Sequence, residues 1–475
     1  MSAQLNRPIV TMGFAFLSFF AADASAAPID PGVRTAPADN SSPNPLPGLG
    51  TDELAFFSDG LARFTTIEVV SGAVQTAGVS QGNGLGPRFN SNQCSSCHSQ
   101  PTIGGSSPLE NPLISVATAF GAANTIPWFL TANGPAREAR FVQSNGVYDG
   151  GVHNLFVISG RSDAGGCNIT QPSFTPAGDP ASGQGGNPNV VFRIPTPIFG
   201  AGLIEAIPDS AILANMNRNA PQKAQRGVWG HPNTLHSGSA NLSGNDGTIT
   251  RFGWKAQNKS LLMFAGEAYN VEMGISNELF PQERDETAGC QGGSASPNDT
   301  DNFPSSTAAL PATAVLSDIE AFANFMRMLA PPTPAPSTPE TLAGLAQFVA
   351  IGCADCHTPT LATGSAVATG SYRIPSPALS NQQVNLFSDL LVHHMGWGLA
   401  DGITQGQAGP DEFRTAPLWG VGERGYFLHD GRTSSLLTAI EAHGSRGSEA
   451  ATSVRNFNSL GSDQQQTVLD FLRSL

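Results

Sequence analysis

Beyond its first 26 residues, the sequence has no apolar run of the roughly 18 to 20 residues that a membrane-spanning helix needs, so no membrane span is expected in the mature chain. The sequence is also poor in positive charge: 23 Lys and Arg face 37 Asp and Glu, a formal net charge of -14. Such an acidic chain is not expected to bind nucleic acid or anionic lipid. The charge favours a basic protein as partner.

The composition excludes a chain that is disordered throughout, because 40% of its 475 residues are hydrophobic. Its 53 Gly and 36 Pro lie mostly between short apolar stretches. This distribution predicts a loop-rich architecture with helices, and not a long bundle or a coiled coil.

The N-terminus is typical of a secretory signal peptide covering residues 1–26. Arg7 supplies the positive start, residues 9–22 are apolar, and Ala24-Ser25-Ala26 matches the small-residue cleavage pattern. Cleavage after Ala26 predicts a periplasmic or secreted protein. The alternative is an uncleaved N-terminal anchor.

The remaining chain divides at a proline-rich segment. Residues 27–50 have no periodic apolar pattern and predict a flexible, extended arm. Residues 331–339 contain five prolines and predict a stiff linker. We therefore expect two domains, at residues 51–330 and 340–475.

Apolar residues recur at helical spacing in four places next to these boundaries. The predicted helices cover residues 54–64, 317–329, 340–351 and 463–475. The first and the third end shortly before a cysteine motif.

Four of the six cysteines lie in two copies of one pattern, Cys-x-x-Cys-His. The copies are Cys94, Cys97 and His98, and Cys353, Cys356 and His357. This spacing suits two thioether bonds to the vinyl groups of a haem, with the histidine as proximal iron ligand. The sequence therefore predicts two covalently bound haem c groups.

Three other interpretations of these cysteines fit the sequence less well. A zinc site would need four thiolates together, but the two pairs are far apart in sequence and each is followed by histidine. A thioredoxin-like dithiol needs a βαβ setting, and neither copy has strand signals around it. Two structural disulfides would not explain why a histidine directly follows the second cysteine of each pair. For the remaining Cys167 and Cys290 we expect a structural disulfide, the alternative being two free buried thiols.

A second repeat supports two related halves. Residues 252–262 align without a gap on residues 427–437, and each copy follows its own haem motif. The first half then holds an insertion, and His443 in the second half corresponds to Ala268 in the first.

The repeat makes His443 the candidate sixth ligand of haem 2, the haem of the motif at residues 353–357. A helix over residues 434–442 would place His443 on its apolar face, towards the haem. The alternatives are a surface histidine at a helix end, or Met395 as the ligand, which would give a higher reduction potential.

Haem 1, the haem of the motif at residues 94–98, lacks a ligand at the corresponding position, so we expect its iron to be open to a small molecule such as peroxide. Cleavage of peroxide needs a group that moves a proton, and Glu272 lies just beyond the repeat helix. Met273 or one of three histidines, His153, His231 and His236, could instead cap this iron.

These residues resemble the bacterial di-haem cytochrome c peroxidase superfamily, and most closely its branch called di-haem oxidoreductase, putative peroxidase. Residues 413–420 (FRTAPLWG) and 426–432 (YFLHDGR) are similar to the family's stretch leading to the sixth ligand of the second haem. That ligand is a methionine in the peroxidases, and the matching position here is His443.

The resemblance also implies a catalytic glutamate. Residues 270–273 (NVEM) look like the motif that bears it, which implies this role for Glu272. A glutamine that the peroxidases place ten residues earlier matches Leu262 here. The label thiol oxidoreductase, sometimes given to this branch, does not fit, because thioether bonds consume the sulfurs.

The expected fold is mainly α: two cytochrome c-like haem domains, the first enlarged by irregular loops and short strands. The expected function is transfer of electrons from a periplasmic donor protein through haem 2 to haem 1, for peroxide reduction. One alternative is a pure electron carrier with two six-coordinate haems. Another is oxidation of an organic or protein substrate, for which the chain offers five tryptophans, Trp128, Trp229, Trp254, Trp397 and Trp419.

Overall fold

The structure is a computed structural model of the chain. It describes residues 27–35, 42–69, 81–86, 88–119, 126–127, 129–144, 147–153, 155–157, 189–235, 248–282, 297–303, 311–365 and 376–475. The predicted signal peptide, Trp128, Cys167, Cys290 and His236 lie outside these residues, and with them the predicted disulfide.

Helices form the longest regular elements among the described residues. They are α1 Thr51–Phe64, α2 Cys94–Cys97, α3 Leu113–Ala119, α4 Ala201–Glu205, α5 Asp209–Asn217, α6 Ala220–Arg226, α7 Leu261–Met273, α8 Ala312–Val315, α9 Asp318–Met328, α10 Pro339–Ala350, α11 Leu436–Ala442, α12 Ala451–Asn458 and α13 Ser462–Ser474. In the part of the chain that the structure describes, none of these helices has both the length and the apolar character needed to cross a membrane.

The four helices predicted from apolar spacing are confirmed as α1, α9, α10 and α13. Helix α10 begins at Pro339, the last residue of the predicted linker. Proline suits this position because backbone N–H groups in the first turn of a helix have no partner within the helix, so the missing N–H of proline costs nothing there. The Thr338 hydroxyl accepts a hydrogen bond from the Thr341 amide at 3.2 Å and caps this helix. Residues 331–338 form neither helix nor strand.

The strands are short, at most four residues each. They are β1 Ile67–Val69, β2 Gln81–Asn83, β3 Arg88–Phe89, β4 Glu138–Phe141, β5 Gln143–Ser144, β6 Val147–Tyr148, β7 Val152–His153, β8 Phe156–Val157, β9 Val190–Arg193, β10 Leu361–Ala362, β11 Gln383–Val384, β12 Val392–His394 and β13 Glu412–Arg414. Among them, β7, β4 and β9 form a three-stranded antiparallel sheet, in which Glu138 pairs with Arg193. Strands β10–β13 lie in the second half, where the sequence did not predict any.

In each half, the helix before the cysteine motif packs on a later helix through a glycine. A Cβ at Gly60 of α1 would collide with the Ala321 carbonyl oxygen of α9, and one at Gly344 of α10 with the Thr467 carbonyl oxygen of α13. Only glycine allows these close approaches.

The apolar core crosses the predicted domain boundary. The larger cluster runs from Leu46 to Met328 and Leu329, and it also includes Leu361, Leu391 and Trp419 from the second half. A smaller cluster contains second-half residues alone, among them Phe348 and Phe471. The division into domains at residues 331–339 stays a prediction.

The predicted flexible arm, residues 27–50, is docked on the protein in its described parts. The Arg473 guanidinium donates to the Asp30 carboxylate at 2.7 Å, and Arg34 pairs with Glu423 at 2.8 Å. Leu46 is buried, and its amide donates to the Met328 carbonyl at 2.7 Å. The arm has no apolar periodicity because single side chains, and not a regular element, attach it to the core.

Candidate functional site

The first cysteine motif lies on the wall of a cavity of ≈ 1210 Å³ that is open to solvent. Helix α2 presents Cys94 and Cys97, and His98 follows at its end. The His98 Nδ1 lies 3.1 Å from the Gly105 carbonyl oxygen. A neutral ring that donates Nδ1–H to a carbonyl leaves Nε2 free to bind a metal. Burial lowers the pKa of His98 to about 4 and keeps the ring in this neutral form.

The second motif is built in the same way on the wall of another open cavity, of ≈ 1390 Å³. Cys353 begins a single 3₁₀ turn, Cys353–Asp355, and Cys356 and His357 follow it. The His357 Nδ1 lies 3.0 Å from the Phe387 carbonyl oxygen, and burial lowers the pKa of this ring to about 4. Each cavity thus carries two thiols and one correctly oriented imidazole on one wall.

This donor set fits a haem better than the other interpretations. All four described cysteines are free, so neither pair forms a disulfide. Burial raises the pKa of Cys97 to about 11 and that of Cys353 to about 12, which argues against a reactive dithiol. Within the described ranges, no group of three or more Cys, His, Asp or Glu could hold a bare metal ion.

The repeat predicted from sequence is confirmed as a repeated turn and helix. Phe252 bridges to Asn258, and Phe427 bridges to Thr433 with the same spacing. Each turn leads into a helix capped by serine: the Ser260 hydroxyl accepts from the amide of Met263, and the Ser435 hydroxyl from that of Thr438. Helices α7 and α11 are therefore equivalent elements, and each lines the same cavity as one cysteine motif.

In the second cavity, α11 places His443 on the wall. The ring is half-buried, and its Nδ1 lies 2.6 Å from the Ala439 carbonyl oxygen, which leaves Nε2 available. Burial lowers the pKa of His443, so the ring is neutral. Met395 lines the same cavity, so the structure brings both candidate ligands to it.

In the first cavity, α7 places Ala268 at the equivalent position, followed by Glu272 and Met273. The Asn90 amide nitrogen donates to a Glu272 carboxyl oxygen at 3.1 Å. Burial, together with the nearby charge of Glu138, raises the pKa of Glu272 to about 8. This carboxyl group therefore carries a proton at neutral pH. Leu262, which matches the peroxidases' glutamine, is not among the residues that line this cavity.

Sequence reasoning missed several charged residues in this cavity, among them Glu138, Arg140 and Arg193. In strand β4, residues 138 and 140 share one face because side chains alternate, and Arg193 lies beside Glu138 on β9. The Arg140 Nε donates to the Glu138 carboxylate at 2.6 Å. The alternation Glu138-Ala139-Arg140-Phe141 was a signal for a strand with one polar face.

The Glu138 carboxylate also accepts a hydrogen bond from the protonated Glu272. Although burial opposes ionisation, Arg140 and this hydrogen bond lower the pKa of Glu138. The cavity thus contains a carboxylic acid and a carboxylate in contact.

A buried histidine beside the second motif was also missed as a charged group. His393 lines the second cavity between two carboxylates, with Asp389 at 3.0 Å and Glu449 at 2.7 Å. Burial disfavours its charged form, but Cys356 and Asp389 raise its pKa well above the usual value.

Other sequence candidates lie away from both cavities. His153 pairs with Asp149, and His231 pairs with Glu412. Trp229 and Trp397 are exposed at the surface.

Trp254 is the tryptophan that the structure places on the wall of both cavities. Its indole Nε1 donates to the Ile194 carbonyl oxygen at 2.9 Å, which fixes the ring. The two cavities are therefore adjacent, with one aromatic side chain common to their walls.

Comparison with known proteins gives one family. The family model described as "Di-haem oxidoreductase, putative peroxidase" matches residues 187–475. No curated protein matches the sequence.

Solved structures that are similar over part of the chain include the following two. A Kuenenia stuttgartiensis hydrazine synthase is 20% identical, with a TM-score of 0.22, over 33% of this chain and 55% of its own. A MauG-like protein associated with microbial copper homeostasis is 16% identical, with a TM-score of 0.27, over 53% of this chain and 79% of its own. The matched region thus spans about half the length of the hydrazine synthase chain.

Proposed function

The chain belongs to the di-haem oxidoreductase family, and we propose that it is a periplasmic or secreted c-type cytochrome that reduces peroxide in the first cavity with electrons that enter at the second. The observation that carries this proposal is the difference between the cavities. The wall of the second cavity carries His443 and Met395 besides its motif histidine, whereas that of the first carries Ala268 at the equivalent position and the Glu272–Glu138 pair.

The proposal includes covalent haem attachment in two cytochrome c-like, mainly α domains. Cys94 and Cys97 would hold haem 1 with His98 as the proximal ligand, and Cys353, Cys356 and His357 would hold haem 2. When bound, each haem supplies an iron that exchanges single electrons. Both Nδ1 atoms are already bound by carbonyl oxygens, which supports Nε2 as the iron-binding atom.

Glu272 and Glu138 are suited to the proton steps of peroxide reduction. The overall reaction joins one H₂O₂, two electrons and two protons into two waters. The Glu138 carboxylate can accept a proton from the substrate, and the Glu272 carboxyl can donate one to the leaving oxygen. Arg140 stabilises the anionic partner of the pair.

His443 would be the sixth ligand of haem 2, with Met395 as the rival. Its neutral ring, with Nδ1 already occupied by the Ala439 carbonyl, supports this assignment. A histidine lowers the reduction potential relative to a methionine, which suits a group that passes electrons onward.

Trp254 supports an electron route between the two cavities, because its ring belongs to both walls. The donor would be a periplasmic electron-transfer protein. The net charge of -14 favours a donor with a basic surface.

A second function is favoured by one observation. Met273 also lines the first cavity, and its thioether could bind the iron there. Two six-coordinate haems would make the protein an electron carrier without a substrate.

Spectra of the mature holoprotein separate these functions. We would record absorption and electron paramagnetic resonance spectra of the oxidised and half-reduced protein, with and without hydrogen peroxide. A high-spin signal that peroxide consumes supports reaction at haem 1. Two low-spin haems that stay inert after half-reduction contradict it.

Variants in the same experiment identify the ligand of haem 2. We expect His443→Ala to convert haem 2 to a high-spin form and Met395→Leu to leave it low-spin. The reverse result would assign the ligand to Met395.

A further inference from the structure

Two arginines on the wall of the second cavity lack a partner for their charge. Arg414 ends strand β13, and Arg424 follows the 3₁₀ turn Val421–Glu423. They are 9% and 6% exposed. Both line the cavity that carries Cys353 and Cys356.

Several buried nitrogen atoms of these two side chains make no hydrogen bond. They are the Arg414 Nη1 and the Arg424 Nε and Nη2. The Arg414 Nε donates to the Gly253 carbonyl oxygen at 3.0 Å, which fixes the side chain without neutralising it. Burial alone lowers the pKa of each guanidinium to about 10, so no carboxylate of the described residues acts on either of them.

Other buried arginines of this protein are paired. Arg193 contacts Asp401 at 2.6 Å, Arg140 contacts Glu138 at 2.6 Å, and Arg473 contacts Asp30 at 2.7 Å. A buried charge without a partner is strongly unfavourable, and its side chain normally pairs with an anion. The two guanidinium groups therefore need negative charge that the described residues around them do not supply.

The chemistry that fits is a pair of carboxylates. A guanidinium presents its N–H groups in a planar fork that matches a carboxylate. We propose that Arg414 and Arg424 bind the two propionate carboxylates of the haem attached to Cys353 and Cys356. This inference rests on the haem attachment in the proposed function, but not on the peroxide reaction.

The position of the two arginines gives them a second consequence. They also line a smaller cavity together with Trp254 and Trp419, and that cavity shares Thr196 and Ile198 with the wall of the first. The cations thus lie on the side of the second cavity that faces the first. Positive charge beside a haem favours its reduced form, so the arginines also raise the potential at which haem 2 accepts an electron.

The test uses two kinds of substitution at Arg414 and Arg424 in the holoprotein, one that removes the positive charge and one that changes only the hydrogen-bond geometry. Arg414→Gln and Arg424→Gln remove the charge, and Arg414→Lys and Arg424→Lys keep it but lose the fork. Arg455→Gln is the control, since Arg455 donates to the Thr452 hydroxyl at an exposed site. The readouts are the midpoint potential of each haem by spectroelectrochemistry and the propionate bending bands by resonance Raman, recorded at half-reduction.

We expect each Gln variant to lower the equilibrium constant for reduction of haem 2 by about tenfold, which is a fall of about 59 mV in the midpoint potential of a one-electron couple. Each Gln variant should also shift the propionate bands of haem 2. The Lys variants should keep the potential and shift the bands. The control should change neither.

Three results would overturn the proposal. One is that the midpoint potential of haem 2 in both Gln variants equals that in the control. Another is a change of potential confined to haem 1, which would show that the arginines bind the propionates of that haem. If the Gln variants do not fold, unchanged propionate bands in both Lys variants overturn it. Absence of haem from the purified wild type, seen before any variant is compared, would instead contradict the proposed function.

Discussion

Glu272 and Glu138 show how two identical side chains acquire different protonation states. Glu272 is half-buried, and this burial together with the negative charge of Glu138 raises the pKa of Glu272 to about 8. Glu138 is bound by Arg140 at 2.6 Å, which favours its ionised form. Two carboxyl groups whose pKa values move apart are suited to act as an acid and a base at the same pH.

The pair predicts the pH dependence of peroxide reduction. The wild-type rate should fall above about pH 8, because Glu272 then loses the proton that it donates. It should persist into acid, because the pKa of Glu138 is lowered. Glu272→Gln should lower kcat by about 10²-fold or more and remove the upper limb of the profile. Steady-state kinetics between pH 5 and pH 10 give both quantities.

Glu267→Gln is the matched control, since Glu267 lines the same cavity but hydrogen-bonds to Asn258. It should keep the upper limb near pH 8. If the pH–rate profile of Glu272→Gln still falls above about pH 8, another group causes that fall.

At the scale of elements, the two halves share a pattern of helices. Each cysteine motif follows a helix that packs through glycine on a later one, α1 on α9 and α10 on α13. Aromatic side chains fill the contact: Phe64 lies 5.0 Å from Phe325, and Phe348 lies 5.5 Å from Phe471, between ring centroids. The rings of Phe64 and Phe348 also approach His98 and His357, so helix packing positions these two histidines.

Gly344→Ala should destabilise the second helix pair. The added methyl group meets backbone at Thr467, which cannot rotate away, so α10 and α13 must separate. Overpacking of this kind costs about 1–3 kcal/mol. Thermal unfolding of the holoprotein measures the loss. Gly461→Ala, which has room for its Cβ at the N-terminus of α13, should change stability far less. Equal melting temperatures for the two variants would contradict the tight crossing.

At the scale of the whole molecule, the arm connects the N-terminal part of the described chain to the last helix. Asp30 binds Arg473 and also accepts a hydrogen bond from the Leu436 amide at the start of α11. Partial burial opposes ionisation of Asp30, but the hydrogen bonds from Arg473 and from the Leu436 amide lower its pKa. The arm therefore contributes to the structure around the second cavity.

Asp30→Asn should lower the free energy of unfolding by about 1–3 kcal/mol near neutral pH, because Arg473 stays buried without its carboxylate. A carboxyl whose folded-state pKa is lowered stabilises the protein above its unfolded pKa, and this contribution is lost as the pH falls through the folded value. The difference between variant and wild type should therefore shrink in acid. Denaturant unfolding at several pH values tests this, with the exposed Asp52→Asn as control. A difference that is constant with pH would contradict the ion pair.

The sequence by itself determined the local features of this protein. Apolar periodicity predicted the four helices α1, α9, α10 and α13, because the apolar face of a helix depends only on the spacing of residues close together in the sequence. The repeat came from eleven aligned positions, which the structure shows as a turn followed by a serine-capped helix. The cysteine motifs needed no structure, since their chemistry depends on adjacent residues.

Only the tertiary structure decided which distant residues share a cavity. Glu138, Arg193 and Glu272 are far apart in sequence, and strands β4 and β9 with helix α7 bring them together. Arg414 and Arg424 are ordinary arginines in the sequence, and burial without a carboxylate makes them an anion site. The docked arm was missed for the same reason: its contacts with residues more than 400 positions away leave no periodic signal. Pairings of this kind arise from chain topology, which no local pattern records.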